Sequence, residues 1–180
     1  MEELSVKQRN IRALICGIII GIYYIILETV SAKFVGNMMQ YQAIRGAGYL
    51  MFLVLIGVSL FTIRKSKGGY LEFRDAFGAT AIIVMVSGFI YYVYRYAFVL
   101  YIDPSFPEKF KQSTLELMRQ QKKPEYKIAE AVKNFDEQAK ESEKFNLARN
   151  IVSYFTMTIR DCVPGMVVAL LVKKNKPTVQ

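Results

Sequence analysis

Histidine is absent from this 180-residue sequence, and there are only two cysteines. The missing histidines remove the commonest metal ligand and the usual general base near neutral pH. Cys16 and Cys162 each lie inside an apolar segment and form no CxxC motif, so the sequence shows no metal or redox motif. No nucleophile motif or clustered carboxylates are present either, and we expect no catalytic residue, no metal ion and no cofactor. An enzyme acting on lipids is therefore the least favoured class of function.

Apolar residues are abundant and concentrated in a few segments. Hydrophobic residues make up 53% of the chain, whereas a soluble domain has about 45–50%. Four segments account for the excess, at 13–27, 47–63, 76–94 and 151–172. A membrane-spanning helix needs roughly 20 predominantly apolar residues. The sequence therefore predicts an all-α integral membrane four-helix bundle.

The first apolar segment has two interpretations. Lys7, Arg9 and Arg12 precede it and Val30-Ser31-Ala32 follows it, an order that resembles a cleavable signal peptide. However, the segment is long, and its small residues recur at intervals of four (Ala13, Gly17, Gly21), as in packed membrane helices. We expect a permanent span, and the same spacing at Gly165 and Ala169 predicts close packing of the last span. Contact within one chain is favoured over dimerisation.

Positive charge predicts the orientation of the spans. The net charge is +9, and the basic residues cluster just outside the apolar segments. The N-terminal tail, the turn after the second span and the C-terminal tail are basic, and all three fall on one side of a four-span topology. Cytoplasmic loops carry an excess of Lys and Arg, so we expect both termini in the cytoplasm. This distribution fits membrane lipids as partners and argues against nucleic acid.

Three regions follow from this topology. Residues 1–103 hold spans one to three with short loops, residues 104–150 form an extracytoplasmic helical hairpin, and residues 151–180 hold span four and a basic cytoplasmic tail. Within the middle region we predict a first helix over about 107–121 and a second that begins near Pro124 and carries an apolar stripe. Nothing in the sequence ends this second helix before span four. The hairpin either packs on itself or lies on the outer leaflet or a partner.

Two charged residues, Arg160 and Asp161, interrupt the fourth apolar segment. Each costs roughly 2.5–3.5 kcal/mol at the centre of a spanning helix, so such side chains rarely face lipid. Neighbouring residues point about 100° apart on a helix, which predicts that the two do not pair with each other. Glu28, Arg45 and Arg95 lie at similar depth on the other spans. We predict one intramembrane charged layer of all five residues, with Glu28 paired to Arg160 and Arg95 paired to Asp161.

Pro164 lies four residues after Arg160 and has no backbone N–H. It should kink span four and free the carbonyl of Arg160 from its helical hydrogen bond. The layer then has two interpretations, which the sequence does not separate. It is either a polar cavity suited to a lipid headgroup, a phosphate or an ion, or a network of ion pairs that fixes the register of the helices.

The turn between spans two and three contains Gly68 and Gly69, which permit a sharp reversal. Lys65, Lys67 and Arg74 flank these glycines and are candidates for contacts with lipid phosphates. Simple anchoring of the turn on the cytoplasmic side is the alternative.

The turn Lys67-Gly68-Gly69-Tyr70-Leu71-Glu72-Phe73-Arg74-Asp75-Ala76-Phe77 and the stretch Tyr101-Ile102-Asp103-Pro104 resemble a family of small four-span membrane proteins of Bacteroidetes. The family is catalogued as domain of unknown function four-one-nine-nine. The resemblance implies a bacterial inner-membrane location and a helical insert on the outer side before the last span. It implies no activity and no catalytic residues.

These observations are consistent with two functions. The leading one is a non-enzymatic inner-membrane subunit or scaffold that binds a protein partner or a second copy of itself, together with lipid. The alternative is a small transporter or lipid-handling protein that uses a charged cavity around Arg160 and Asp161.

Overall fold

A computed structural model of the chain describes residues 6–142 and 147–175, and helices make up most of these residues. The third helix continues through a π-helical turn at Phe98–Ile102. The helices are α1 (Val6–Ala32), α2 (Met38–Ser66), α3 (Phe73–Ala97), α4 (Phe106–Gln120), α5 (Glu125–Ser142) and α6 (Leu147–Val172).

Four helical segments are long and apolar enough to cross a membrane: Val6–Ala32, Met38–Ser66, Phe73–Ile102 and Asn150–Val172. The predictions of a helical chain with four spanning segments are therefore confirmed. The helices are longer than the apolar runs because backbone hydrogen bonding continues until local turn chemistry ends it. At the start of α2, for example, the side chain of Asn37 accepts a hydrogen bond from the backbone N–H of Gln40 and caps the helix.

The four spanning helices pack in the spatial order α1, α3, α6, α2, and α2 also contacts α1. Glycines bring α1 against α3, since a Cβ added at Gly17 would lie 2.9 Å from the Cβ of Val86. On α6, a Cβ added at Gly165 would lie 2.7 Å from Cγ2 of Thr80. These contacts confirm that the small residues serve packing within one chain. Phe52, Ile56, Leu60 and Ile83 fill the centre of the bundle.

Helix α4 packs on one end of the bundle, where α2 begins and α3 ends. The rings of Tyr41 and Phe110 lie 5.6 Å apart, as do those of Phe98 and Phe106. The predicted range of 107–121 differs from the observed Phe106–Gln120 by one residue at each end. This end of the bundle is called the α4 end below.

Helix α5 begins directly after Pro124, as predicted, and contacts α4. The rings of Phe110 and Phe135 lie 6.2 Å apart, and Lys111 Nζ lies 2.6 Å from an Asp136 carboxylate oxygen. The predicted continuation of this helix into span four concerns residues 143–146, which lie outside the described residues.

The opposite end of the bundle, called the turn end below, brings together three distant parts of the chain. Gly68 and Gly69 have φ angles of 75° and 91°, values that favour glycine, so the predicted reversal is confirmed. Leu71 exchanges two backbone hydrogen bonds of 2.8 Å with Lys174. Arg9 of α1 forms an ion pair with Asp75 of α3. The beginning of α1, the α2–α3 turn and the segment after α6 therefore meet.

We predict that Gly17→Ala destabilises the bundle by about 1–3 kcal/mol, the range expected for overpacking a close contact. Gly46→Ala is the control, because a Cβ at Gly46 meets no atom within 4 Å. The measurement is the midpoint of unfolding when SDS is added to the protein in mild detergent micelles. Equal midpoints for the two variants would contradict close packing of α1 on α3.

Candidate functional site

The carboxylate of Glu28 lies at the centre of a cluster of polar side chains inside the bundle. Glu28 comes from α1 and its side chain is 1% exposed. One oxygen accepts hydrogen bonds from Arg45 of α2 and, at 3.1 Å, from the hydroxyl of Tyr91 of α3. The other oxygen accepts a 3.2 Å hydrogen bond from Nη1 of Arg95. These four residues are called the Glu28 cluster.

Tyr91 connects the two arginines of the Glu28 cluster. Its hydroxyl accepts hydrogen bonds from Arg45 Nη2 at 2.9 Å and from Arg95 Nη1 at 3.1 Å. The guanidinium of Arg45 also lies 5.6 Å from the centre of the Tyr91 ring, within the range of a cation–π contact. Tyr91 and Arg95 are four residues apart on α3 and so share one face of that helix. This spacing is the sequence signal for Tyr91, which lies outside the predicted layer of five residues.

The pairings predicted from the sequence are wrong. Glu28 pairs with Arg45 and Arg95, and not with Arg160, and Arg95 does not pair with Asp161. The depth of a charge follows from its position in the chain, but its partner depends on how each helix is rotated. Helix α1 turns Glu28 towards α2 and α3.

Arg160 and Asp161 pair with each other, contrary to the prediction. Nε of Arg160 lies 3.1 Å from an Asp161 oxygen. The long arginine side chain folds back to its neighbour, which overcomes the angle between adjacent positions. The hydroxyl of Tyr49 on α2 also lies beside the Asp161 carboxylate. Asp161 is 9% exposed, whereas the Arg160 side chain is 71% exposed.

A cavity of about 60 Å³ separates these two groups of charges. Arg45 and Tyr91 line one side of it, and Arg160 and Asp161 line another. A buried water needs about 10–15 Å³ measured in this way, so the cavity has room for a few water molecules. Of the predicted layer, Arg45, Arg160 and Asp161 line this cavity, whereas Glu28 and Arg95 do not. The five residues therefore form two ion-paired groups, and Arg45 is the charged member of the Glu28 cluster that faces the cavity shared with Arg160 and Asp161.

The three candidates for lipid-phosphate contacts differ in their surroundings. Lys67 pairs with Asp75 at 2.5 Å, next to the ion pair between Arg9 and Asp75. Lys65 and Arg74 are exposed and have no ion pair within residues 6–142 and 147–175. Lys67 therefore stabilises the turn, and the other two side chains are available at the surface.

A metal centre is not formed by the described part of the chain. In residues 6–142 and 147–175, no group of three or more His, Cys, Asp or Glu side chains is placed to hold an ion. Glu28 and Asp161 are each neutralised by arginine.

Four apolar helices and paired charges at membrane depth define an α-helical, multi-pass membrane protein. Comparison with known proteins then identifies the family. The family model described as "Protein of unknown function (DUF4199)" matches residues 13–174, and the chain belongs to this family. This confirms the resemblance seen in the sequence. No curated protein and no solved structure matches the chain.

We predict that Glu28→Gln destabilises the protein by about 3–5 kcal/mol, because it leaves two guanidinium groups without a buried counter-charge. Arg95→Gln should have a smaller effect, since Glu28 keeps Arg45 as its partner. The measurement is again the SDS unfolding midpoint of the purified protein. If Glu28→Gln unfolds at the same midpoint as the unsubstituted protein, the Glu28 cluster contributes nothing to stability.

Proposed function

We propose that this protein is a non-enzymatic membrane subunit that binds a transmembrane helix of a protein partner through the exposed face of α6. The observation that carries this proposal is Arg160. Its side chain is 71% exposed, and it lies ten residues after the start of the span Asn150–Val172, at a depth of about 15 Å. A charged side chain rarely faces lipid at this depth, so a partner that covers Arg160 lowers the free energy of the membrane-embedded protein.

Other polar residues extend this face towards the outer side. Ser153, Thr156 and Arg160 are all exposed, and their spacing of three and four residues places them on one side of α6. Helix α6 is also the least enclosed span, with 22% of its apolar window buried compared with 33–44% for the other three. Hydroxyl and charged side chains at such positions hydrogen-bond across membrane helices. We call this set the α6 polar stripe.

The chemistry of the stripe defines the partner. A guanidinium has five N–H donors, and Asp161 engages only the Nε donor of Arg160. The partner helix should therefore present a carboxylate or amide side chain at this depth. A symmetric dimer through the stripe would place two Arg160 side chains opposite each other, and like charges at one depth repel. A different protein is favoured for this reason.

The alternative of a lipid transporter has less support. The cavity beside Arg160 and Asp161 measures about 60 Å³, which suits a few water molecules and not a lipid headgroup. In addition, Glu28, Arg45 and Arg95 are engaged with one another, so they behave as an ion-pair network between helices.

We further propose that the protein lies in the bacterial inner membrane with both termini in the cytoplasm. Basic residues from α1, the α2–α3 turn and the C-terminal segment lie together at the turn end, which supports this orientation under the positive-inside rule. In that orientation α4 and α5 form an extracytoplasmic helical hairpin, held by the Phe110–Phe135 and Lys111–Asp136 contacts. The basic residues concerned are Arg9, Arg12, Arg64, Lys65, Lys67, Arg74, Lys173 and Lys174.

We predict that the tagged protein purifies from its native membranes with a stoichiometric partner, and that Arg160→Leu removes it. Ile159→Leu is the control, because Ile159 is exposed to a similar extent at nearly the same depth and carries no charge. Arg160→Lys should retain part of the complex, since it keeps the charge but loses the planar fork of donors. The readout is native mass spectrometry in mild detergent.

Three results would contradict this proposal. The protein could purify only as a monomer with lipid, or two differently tagged copies could account for the whole complex. Alternatively, Arg160→Leu could retain as much partner as Ile159→Leu.

For the orientation, we predict that a membrane-impermeant maleimide labels Lys127→Cys but not Glu72→Cys in intact spheroplasts. Both positions are exposed, on α5 and at the turn end respectively. Cys16 and Cys162 are first replaced by alanine so that the introduced thiol is the sole target. Lysis should make both introduced cysteines reactive. The reverse pattern before lysis would place the termini outside.

A further inference from the structure

A groove of about 590 Å³ lies at the α4 end, between the end of α3 and helices α4 and α5. Phe106, Phe110 and Phe135 give it aromatic walls, and Arg95 borders it. Its volume falls within the range of about 300–1,000 Å³ that is common for ligand sites. It is a different space from the small cavity beside Asp161.

Charge balance indicates what kind of ligand this groove would take. The Glu28 cluster holds two guanidinium groups around one carboxylate, so it carries one excess positive charge. Arg95 is the more exposed of the two arginines, at 45% compared with 27% for Arg45. Within residues 6–142 and 147–175, its Nε and Nη2 groups donate no hydrogen bond. One monoanion on Arg95 would both balance the cluster and use these donors.

The position and walls of the groove favour a lipid over a free anion. Arg95 lies seven residues before the end of the span Phe73–Ile102, about 10 Å along the helix, so the groove reaches the membrane boundary. Phospholipid headgroups occupy this boundary. Inorganic phosphate is strongly hydrated and gains little from three aromatic walls, whereas the glycerol and upper chain carbons of a lipid can pack on them.

We infer that the groove bordered by Arg95, Phe110 and Phe135 binds one monoanionic phospholipid of the leaflet at the α4 end, with its phosphate on the Arg95 guanidinium. Of the other charged residues that line the groove, Lys111 is paired with Asp136, and Glu108 accepts a hydrogen bond from Gln112. Arg95 is therefore the residue that determines preference for an anionic headgroup over a zwitterionic one.

The test uses the purified full-length protein in neutral detergent, with native mass spectrometry as the readout. Dioleoylphosphatidylglycerol is titrated, and dioleoylphosphatidylcholine and inorganic phosphate are titrated separately. We expect one tightly retained phosphatidylglycerol and weaker binding of both other probes. Arg95→Gln should weaken phosphatidylglycerol binding at least about tenfold, as expected for the loss of a charged hydrogen-bonding partner. Arg95→Lys, which keeps the charge, should retain the preference for phosphatidylglycerol even if Arg95→Gln folds poorly.

A second pair of variants tests the groove without altering any charge. Gln138 lies in the groove and is exposed, so Gln138→Trp should fill the site and weaken binding. Asn134→Trp places the same side chain elsewhere on α5 and should leave binding unchanged. The inference is overturned if phosphatidylcholine binds as tightly as phosphatidylglycerol, if inorganic phosphate competes for the site, or if either Arg95→Gln or Gln138→Trp keeps full binding. It is also overturned if the unsubstituted protein retains no phosphatidylglycerol. None of these outcomes depends on a protein partner at α6.

Discussion

The buried carboxylate of Glu28 joins three of the four spanning helices at one point. Burying an unpaired charge in an apolar setting is costly, and the arginines of α2 and α3, with Tyr91 between them, supply the opposite charge and the hydrogen bonds. These hydrogen bonds are directional. They therefore fix the relative depth of α1, α2 and α3 in the membrane and the rotation of each helix about its axis. The glycine contacts of α1 also hold its backbone close to α3, the helix that carries Tyr91 and Arg95. Packing and charge thus impose the same helix register.

The bundle contains two kinds of charged side chain, those buried in its interior and those exposed at its surface. In the Glu28 cluster, every oxygen of the carboxylate has a donor, and the excess charge faces the α4 end through Arg95. In the other group, Asp161 turns inwards and Arg160 turns to the surface. A network that only fixed register would have no reason to expose a guanidinium along the span. The inward-facing carboxylates of Glu28 and Asp161 therefore suit stability. The more exposed guanidiniums of Arg160 and Arg95 are the groups on which the proposed partner and the proposed lipid would bind.

The sequence was sufficient to predict what depends on distance along the chain. Apolar runs of spanning length predicted the four helices, and Gly68 and Gly69 predicted the reversal. Two charges inside an apolar run, Arg160 and Asp161, and three at the ends of the other runs predicted the five residues of the layer. Rotation about the helix axes was not predictable, so the partners of Glu28 and Arg160 were assigned wrongly. Tyr91 was overlooked because many tyrosines lie near the same boundary, and only its spacing from Arg95 distinguishes it. The groove depends on how α4 docks on Tyr41 and Phe98, a long-range contact that no local pattern encodes.

The attachment of α6 at the turn end has a mechanical consequence. The backbones of Lys174 and Leu71 exchange two hydrogen bonds, and Arg64 donates a hydrogen bond to the carbonyl of Val172. Gly165 packs closely on Thr80. The half of α6 near the turn end is therefore held at its end and along its side. Pro164 lies inside this helix and has no backbone N–H to donate to the carbonyl of Arg160. A load applied to the half of α6 before Pro164 would therefore bend the helix near this proline more readily than it would slide the helix along α3. Asp161 lies in the half that would bend, so its contact with the hydroxyl of Tyr49 would be sensitive to such a load.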